Sequence, residues 1–353
     1  MKKEAIYNLN RNDWKKWADS NGVSSFYHEK IWESLYRGRA KCFADMEGVR
    51  ADHLAKLEEA FFFPALSVKE VQRSSDRTLK FLFQLEDHSL IETVLMHHSF
   101  GNSVCVTTQI GCNIGCAFCA SGQKPKKRDL SCSEIIAQIL GVDAYLKEHA
   151  ILSEEESRIT HLVVMGIGEP FDNFENLIQF LSIVTDGRGL AFGSRHITVS
   201  TSGIAPKIID FAERGFRSNL AISLHAPNDA LRSALMKINR VYPIARIFEA
   251  ITEYIAKTNK RVTFEYILIK GFNDSLKEAE ELATLLEPIQ DYAYVNLIPY
   301  NPVFEAGYER SEEKDIAAFF DYLSRKRIRC VIRKEHGSDI DAACGQLRSK
   351  YLD

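Results

Sequence analysis

The chain lacks the features that would assign it to a membrane, a secreted or a strongly basic class of protein. Its 353 residues contain no run of about 18 apolar residues of the kind that spans a membrane. Residues 1–12 are too polar to form the apolar core of a signal peptide. Charge of neither sign dominates, because the chain has 45 Lys and Arg residues and 48 Asp and Glu residues, which gives a net charge of −3. We expect a soluble, cytoplasmic protein that can hold a nucleic acid only through a local basic patch.

Internal repeats and low-complexity segments are also missing, whereas apolar residues and cysteines are well represented. The chain is long enough for roughly two domains, and 45% of it is hydrophobic, which supports a sizeable core. In a reducing cytosol its eight cysteines are thiols or metal ligands rather than disulfides. Three of them, Cys42, Cys132 and Cys330, fit no pattern, so we expect them to be buried core residues.

Three other cysteines, Cys112, Cys116 and Cys119, stand in a C-x3-C-x2-C run. Cysteine thiolates are the usual ligands of iron–sulfur clusters. Three of them leave one iron of a cubane cluster open, and an open position is typical of catalytic rather than structural metal sites. Zinc is the alternative, but zinc sites normally pair two C-x2-C halves or add histidines, and no fourth ligand lies nearby. The spacing therefore favours an iron–sulfur cluster.

The hydrophobic pattern predicts a helical N-terminal part, a β-hairpin and a long alternating α/β part. Helices are expected at 14–21, 28–36 and 51–61, and a hairpin at 79–85 and 90–96. Further strands are expected at 104–109, 160–165, 196–200, 220–224, 262–269, 294–298 and 328–333, with helices between them, among others at 133–146, 173–183, 244–256 and 275–286. Such alternation predicts a parallel sheet closed into an incomplete barrel, with the chemistry at the C-terminal ends of its strands.

Several of these strand ends carry polar or glycine-rich segments. The strand at 160–165 is followed by Gly166-Ile167-Gly168-Glu169-Pro170, in which glycines allow a ligand close to the backbone and Glu169 can accept a hydrogen bond from an amino group. Alone, the G-x-G pattern is weak evidence, and a lone His225 is more often structural than functional. Asn296 can bond to donor and acceptor edges of an adenine or a ribose.

These motifs together resemble the radical S-adenosylmethionine (radical SAM) superfamily and, within it, the RlmN/Cfr family of adenosine C-methyltransferases. The resemblance covers nearly the whole chain and rests on residues 91–94, 103–112, 166–170, 200–203, 223–228, 296–299 and 339–347. It implies an α/β fold, a radical SAM partial (β/α)6 barrel with a small N-terminal helical accessory domain and a short β extension. The implied divisions are an RNA-binding helical domain at 1–75, a β-hairpin extension at 76–102, a radical SAM core at 103–335 and a catalytic-cysteine loop at 336–353.

The resemblance also implies cofactors and the residues that bind them. One [4Fe-4S] cluster would be held by Cys112, Cys116 and Cys119, reduced by a low-potential donor such as flavodoxin or ferredoxin. Two molecules of SAM would be used per turnover, and the cluster would cleave one of them to a 5′-deoxyadenosyl radical. The residues implied to contact SAM are Gly168, Glu169, Ser200, Ser223, Leu224, His225 and Asn296.

The implied reaction is methylation of C2 of an adenine in 23S rRNA and of the adenine next to the anticodon in tRNA. Cys344 would carry the methyl group, Glu92 would take the C2 proton, and Cys105 would release the product by forming a disulfide with Cys344. The Cfr branch methylates C8 of the rRNA adenine instead. Pro170 in Gly168-Glu169-Pro170 indicates the RlmN branch, because the other branch usually has alanine there.

Three groups of basic residues are candidate RNA contacts, since charge near a predicted site in a chain of negative net charge suits phosphate binding. They are Lys124, Lys126, Lys127 and Arg128 beside the cysteine loop, Arg325, Lys326, Arg327, Arg329, Arg333 and Lys334 before the Cys344 loop, and Lys15, Lys16, Arg37 and Arg39 in the helical part. Two readings from other classes stay open. One is a non-methylating radical SAM activase or maturase, and the other is a zinc or iron–sulfur RNA-binding module without catalysis.

Overall fold

The computed structural model describes residues 3–149, 158–303, 306–343 and 346. The strands are β1 Glu4–Ala5, β2 Phe61–Phe62, β3 Leu66–Arg73, β4 Leu79–Leu85, β5 Leu90–His98, β6 Gly101–Cys105, β7 Gln109–Ile110, β8 Arg128–Asp129, β9 Ile159–Val164, β10 Ile197–Thr201, β11 Asn219–Ser223, β12 Val262–Leu268, β13 Ala293–Pro299 and β14 Arg329–Ile332. The α-helices are Arg11–Ser20, Ser25–Tyr36, Ala51–Ala60, Cys132–Glu148, Phe174–Val184, Ala205–Glu213, Asp229–Leu235, Ile244–Thr258, Leu276–Leu286 and Glu313–Arg325.

Ten of the strands form one sheet in the order β14-β13-β12-β11-β10-β9-β6-β5-β4-β3. The pairs from β6 to β14 are all parallel, whereas β5, β4 and β3 continue the sheet in antiparallel fashion. The parallel sheet with crossover helices confirms the predicted α/β fold. Among the described residues β14 does not pair with β3, so the barrel stays open.

The helices between the parallel strands are amphipathic and cover the outer face of the sheet. In Ile244–Thr258 the buried side chains Ile244, Ile247, Ala250, Ile251 and Tyr254 recur every three or four residues and so form one stripe. That helix ends where Asn259 adopts a left-handed conformation at φ 52. The helix Cys132–Glu148 begins with a capping box between Ser131 and Glu134. Local capping and periodicity therefore agree with the tertiary packing.

The N-terminal helices share the main hydrophobic core with the sheet. Their large aromatic residues Trp14, Trp32 and Tyr36 are fully buried. The indole N–H of Trp32 donates to Asp186 at 3.1 Å, which joins the helical part to the loop after Phe174–Val184.

The sequence patterns did not reveal strand β3, which lies within the segment expected to be helical. It pairs with β4 as the outermost strand, and most of its side chains are at least partly exposed, so no apolar alternation marks it. Of the three cysteines expected in the core, Cys132 is buried and Cys330 is partly buried, but Cys42 is exposed and that expectation was wrong. No helix in the described parts of the chain is long and apolar enough to cross a membrane.

Candidate active site

A cavity opens at the C-terminal ends of the parallel strands, where the fold predicts the chemistry. It is lined by all three cysteines of the C-x3-C-x2-C run and by residues from the ends of β6, β9, β10, β11 and β12. Of the residues expected from the sequence to be catalytic or to bind a cofactor, the cavity brings together Cys105, Cys112, Cys116, Cys119, Gly168, Glu169, Ser200, Ser223 and His225.

The loop that carries the three cysteines is folded back on itself by backbone hydrogen bonds. The Cys112 N–H donates to the Lys124 carbonyl at 3.1 Å, and the Cys119 N–H donates to the Cys116 carbonyl at 3.3 Å. Gly111 has φ +78, and a Cβ there would run into the backbone of Pro125, so only glycine fits this turn. The loop geometry therefore turns all three sulfur-bearing side chains towards one cavity.

The surroundings of the three thiols suit an iron–sulfur cluster. They pack against a small apolar cluster that includes Ile114, Phe118, Met236 and Tyr300. Burial raises the pKa of the Cys112 thiol to about 12 and that of Cys116 well above its usual value. Bound iron would supply the positive charge that keeps such buried sulfurs as thiolates. In the described part of the chain, no three His, Cys, Asp or Glu side chains are placed to hold a single metal ion.

Two glycines let the segment after β9 lie against the residues that follow β6. A Cβ on Gly166 would stand 2.6 Å from the Val106 carbonyl oxygen, and one on Gly168, which has φ +107, would stand 2.6 Å from Cβ of Gln109. Gln109 in turn accepts the backbone N–H of Glu169 at 2.8 Å. The G-x-G pattern thus brings the Glu169 segment to the edge of the cysteine loop.

Glu169 joins the ends of two neighbouring strands. One carboxylate oxygen accepts the Phe171 N–H at 2.9 Å and the other accepts the Ser202 N–H at 2.7 Å. Burial raises the pKa of the Glu169 carboxyl, although its hydrogen bonds act in the opposite direction. A carboxylate oxygen has two acceptor positions, so Glu169 keeps capacity for an amino group in the cavity.

Arg232 is fully buried and holds the ends of β10 and β11 together, a role that the sequence did not reveal. Its guanidinium donates to the carbonyls of Ser202 at 2.5 Å, Ser223 at 3.2 Å and Leu224 at 3.2 Å. The nearby hydroxyls of Ser200 and Ser223 are 3.4 Å apart and line the cavity.

His225 supports the cysteine loop as a neutral ring. Its Nδ1 accepts the Ile267 N–H at 3.2 Å, and its ring packs edge-on against Phe118 with the centroids 4.9 Å apart. Burial, followed by the charge of Arg232, lowers its pKa to about 3. His225 adopts φ 58, an uncommon conformation for a residue other than glycine, and Asn273 donates to its carbonyl at 2.8 Å.

Two residues expected to contact SAM do not line the cavity. The Leu224 side chain is buried in the hydrophobic core. Asn296 donates to Glu265 at 2.9 Å, and it is the buried Glu265 that lines the cavity. Burial raises the pKa of the Glu265 carboxyl, which Arg333 approaches to 3.6 Å. A single acidic residue inside the apolar strand β12 was the sequence signal that could have identified Glu265.

Cys105 ends β6 and meets the segment that leads to Cys344. Cys105 packs with Val94, Ile167 and Ala342 in one apolar cluster, and both Ala342 and Ala343 line the same cavity as Cys105. Cys344 itself lies outside the described residues. Ala343, the residue before the predicted methyl-carrying Cys344, therefore lines the same cavity as Cys105.

Glu92 is buried on β5, where Lys80 of the neighbouring strand approaches its Oε1 to 3.2 Å. The same ammonium group donates to the Asp341 carbonyl at 3.3 Å. Residues two apart on β5 share a face, so Glu92 faces the same side of the sheet as Val94, which lies opposite Cys105. Lys80, which the sequence analysis missed, thus links the proposed base to the C-terminal segment.

The turn between β3 and β4 fixes the C-terminal segment further. Asp76 accepts the Gly337 N–H at 3.2 Å and lies 3.3 Å from Nδ1 of His336. Asp339 accepts the Ser74 hydroxyl and the Ser75 N–H, the latter at 3.1 Å. The antiparallel extension of the sheet therefore positions the segment that carries Cys344.

Many of the basic residues considered as RNA contacts are already paired with carboxylates. Lys126 contacts Asp172 at 2.6 Å, and Arg128 contacts Asp87 at 2.9 Å. The four helical-domain candidates also have acidic partners, namely Glu29 for Lys15, Asp13 for Lys16, Glu33 for Arg37 and Asp143 for Arg39. Surface charge alone therefore does not single out these residues as phosphate ligands.

Comparison with known proteins assigns the class of this protein. A family profile described as the Radical SAM superfamily matches residues 106–286, which include the cysteine loop and the four parallel strands β9 to β12. The crystal structure of a radical SAM methyltransferase from Sphaerobacter thermophilus is 38% identical and superposes with a TM-score of 0.90, covering 98% of this chain and 99% of that one. The fold and the cysteine loop are thus those of a radical SAM enzyme.

Two curated relatives narrow the assignment. A protein of Listeria monocytogenes named probable dual-specificity RNA methyltransferase RlmN is 53% identical over 353 residues, 100% of this chain and 95% of the relative. A protein of Streptococcus suis with the same name is 54% identical over 351 residues, 99% of this chain and 94% of the relative. The chain belongs to the RlmN family of SAM-dependent RNA methyltransferases.

Proposed function

We propose that this protein methylates C2 of an adenine in 23S rRNA and C2 of the adenine next to the anticodon in tRNA. The observation that carries the proposal is one cavity lined by the three cluster cysteines, Cys105 and Ala343, the residue before Cys344. A non-methylating radical SAM enzyme needs no such pair of further cysteines. The dual specificity follows the names of the relatives, and the choice of C2 follows Gly168-Glu169-Pro170.

In this proposal Cys112, Cys116 and Cys119 hold one [4Fe-4S] cluster, and two SAM molecules are used per turnover. Reduced by a donor such as flavodoxin or ferredoxin, a cluster held there would supply the electron that cleaves SAM to a 5′-deoxyadenosyl radical. Glu169, at the edge of the cysteine loop, accepts a hydrogen bond from the amino group of SAM. Ser200 and Ser223, on adjacent strand ends 3.4 Å apart, contact its polar atoms.

Cys344 carries the methyl group because C2 of adenine is an electron-poor carbon that cannot displace a methyl from SAM. The Cys344 thiolate takes the methyl by displacement. After loss of one hydrogen atom to the 5′-deoxyadenosyl radical, the S-bound carbon adds to C2. Loss of the C2 proton to Glu92 and of one electron, which the oxidised cluster would take up, leaves a thioether between Cys344 and the adenine. The Cys105 thiolate then attacks the Cys344 sulfur, so that an S–S bond forms while the bond between this sulfur and the transferred carbon breaks. The leaving carbon takes up a proton, which releases the methylated adenine and leaves a Cys105–Cys344 disulfide.

Glu92 takes the C2 proton, and Lys80 keeps its carboxylate in place. The pair is buried, so water does not compete for the proton. Lys80 also binds the Asp341 carbonyl, three residues before Cys344. The contact therefore links Glu92, which is not among the residues that line the cavity, to the segment that carries the methyl group. With rRNA and tRNA as substrates, we expect the protein to act in the cytoplasm.

The proposal is tested by incubating the reconstituted protein with SAM, a reductant and an rRNA fragment, followed by mass spectrometry of the nucleosides. We expect 2-methyladenosine, together with 5′-deoxyadenosine. Cys116→Ala should abolish both products, whereas Cys42→Ala, which changes an exposed cysteine outside the cavity, should not. Recovery of 8-methyladenosine alone would contradict C2 specificity, and 5′-deoxyadenosine at the normal rate from Cys116→Ala would contradict the cluster assignment.

A further inference from the structure

Five aromatic or imidazole rings form a continuous row on the sheet, which we call the ring row: His336, His98, Phe100, His161 and His196. His98 stacks on Phe100 with the centroids 4.6 Å apart, and His336 packs edge-on against His98 at 4.6 Å. Phe100 meets His161 at 5.0 Å, and His161 stacks on His196 at 4.4 Å. The rings come from four separate segments of the chain, so tertiary structure assembles the row.

The ring row lies on the same face of the sheet as Cys105. Ser103, two residues before Cys105, is opposite His161, and Gly101 is opposite His98. Side chains two residues apart on a strand share a face. At about 3.3 Å per residue, the row begins roughly 7 Å and continues to roughly 13 Å from the level of Cys105. His336, at one end, lines the cavity itself.

The row is accessible, and its central rings are uncharged at neutral pH. Phe100 is 64% exposed. Burial, followed by the charges of His336, His161 and Arg333, lowers the pKa of His98 to about 4. Burial, followed by the neighbouring His196, lowers the pKa of His161. Neutral rings of this kind stack readily on the faces of nucleobases.

Positive charge lies at both ends of the ring row. Arg195, next to His196, lies near Arg217 and Lys260. Burial, followed by the charges of Arg217 and Arg195, lowers the pKa of Lys260. None of these three forms an ion pair with any residue that the structure describes. Arg333 and Lys334 line the cavity at the other end. In a chain of net charge −3 this is a local concentration of cationic groups.

We propose that the ring row binds the unpaired bases beside the target adenine by stacking, while the flanking cations contact the phosphates of the same RNA strand. This rests on the proposed function and extends it, because it assigns a surface of the barrel to single-stranded RNA. Stacked bases with cationic contacts to the backbone are the usual way in which proteins hold single strands. The short distance to Cys105 suits nucleotides close to the one that reacts.

The test measures binding of a short hairpin RNA with an adenine in its single-stranded loop, and of a fully paired duplex of the same composition, at one fixed salt concentration. Phe100→Ala and Phe100→Leu should weaken binding of the hairpin about tenfold, as expected for the loss of one stacking ring. Phe100→Trp should stay within about twofold of the unchanged protein because it keeps an aromatic face. None of the three should weaken binding of the duplex.

Leu276→Ala is the matched control, since Leu276 is a half-exposed apolar residue on an outer helix. It should bind both RNAs normally, and RNA-independent formation of 5′-deoxyadenosine should be unchanged in all variants. If the unchanged protein methylates the hairpin but Phe100→Ala binds it equally well, the ring row is not an RNA surface and the proposed function stands. If the unchanged protein methylates no RNA at all, the proposed function itself fails.

Discussion

Asp76 should determine whether the segment before Cys344 stays docked on the sheet. Burial alone would raise the pKa of its carboxyl, but the hydrogen bonds that it accepts, among them those from Thr78, Ser74 and Gly337, lower the pKa from 3.8 to about 2. Because the carboxyl is partly exposed and solvent screens its interactions, this lowering corresponds to about 1 kcal/mol in favour of the native state. Asp76→Ala should remove that contribution.

The pH dependence of this contribution follows from the direction of the shift. Because the folded-state pKa lies below the unfolded one, the stabilisation is fully present above about pH 4 and is lost as the pH falls towards 2. The difference in free energy of unfolding between the unchanged protein and Asp76→Ala should therefore be constant from pH 7 to pH 5. It should shrink below pH 4, where protonation removes the same interaction.

Amide hydrogen exchange of residues 336–343 measures the docking directly. In Asp76→Ala we expect exchange at pH 7 to rise by roughly fivefold, the factor that about 1 kcal/mol represents. RNA methylation should fall, while RNA-independent cleavage of SAM should continue, because Asp76 contacts neither the cysteine loop nor the ends of β9 to β11. Asp45→Ala is the control, since Asp45 also accepts backbone N–H groups but lies in the helical N-terminal part. Unchanged exchange and methylation in Asp76→Ala would refute this reasoning.

Two further predictions concern the sheet extension and the cofactor edge. Lys80→Met should lower the free energy of unfolding in urea by about 3 to 5 kcal/mol, because it removes the cation beside the buried Glu92. Adding Glu92→Gln should restore part of the loss. A double variant that loses the sum of both single effects would contradict this coupling. Gly168→Ala should raise the KM for SAM at least about tenfold, because its φ of +107 and the 2.6 Å approach to Gln109 exclude a Cβ. Gly187→Ala, where a Cβ would meet nothing within 4 Å, is the matched control, and an equal KM in both variants would disprove the role of Gly168.

The strands and helices of the core could be predicted because their apolar periodicity agrees with their burial. The predicted strand at 262–269, for example, is β12 Val262–Leu268, in which all but one side chain are buried. Strand β3 could not be predicted in this way, since it forms the edge of the sheet and its mostly exposed side chains show no alternation. The cavity-lining cysteines of the C-x3-C-x2-C run and the glycines of Gly166-Ile167-Gly168 could be predicted, because each motif lies within a few consecutive residues.

The charged residues that support the site escaped prediction because their partners are distant in sequence. Lys80 meets Glu92 through the register of β4 and β5, and it meets Asp341 only through the tertiary fold. Arg232 binds carbonyls on two strand ends that no local pattern connects to it. A charged residue within an apolar run was the available signal, as at Lys80 in β4 and Glu265 in β12.

The central claim is that Cys344 carries the methyl group and Cys105 releases the product, and a covalent adduct tests it most directly. Cys105→Ala should complete carbon–carbon bond formation and then stop with RNA joined to Cys344 by a thioether, which thiol exchange does not break. We expect an RNA–protein species that survives denaturant and reductant and disappears on ribonuclease treatment. It should be absent from Cys344→Ala and from the double variant. Normal turnover by Cys105→Ala without that species would contradict the account.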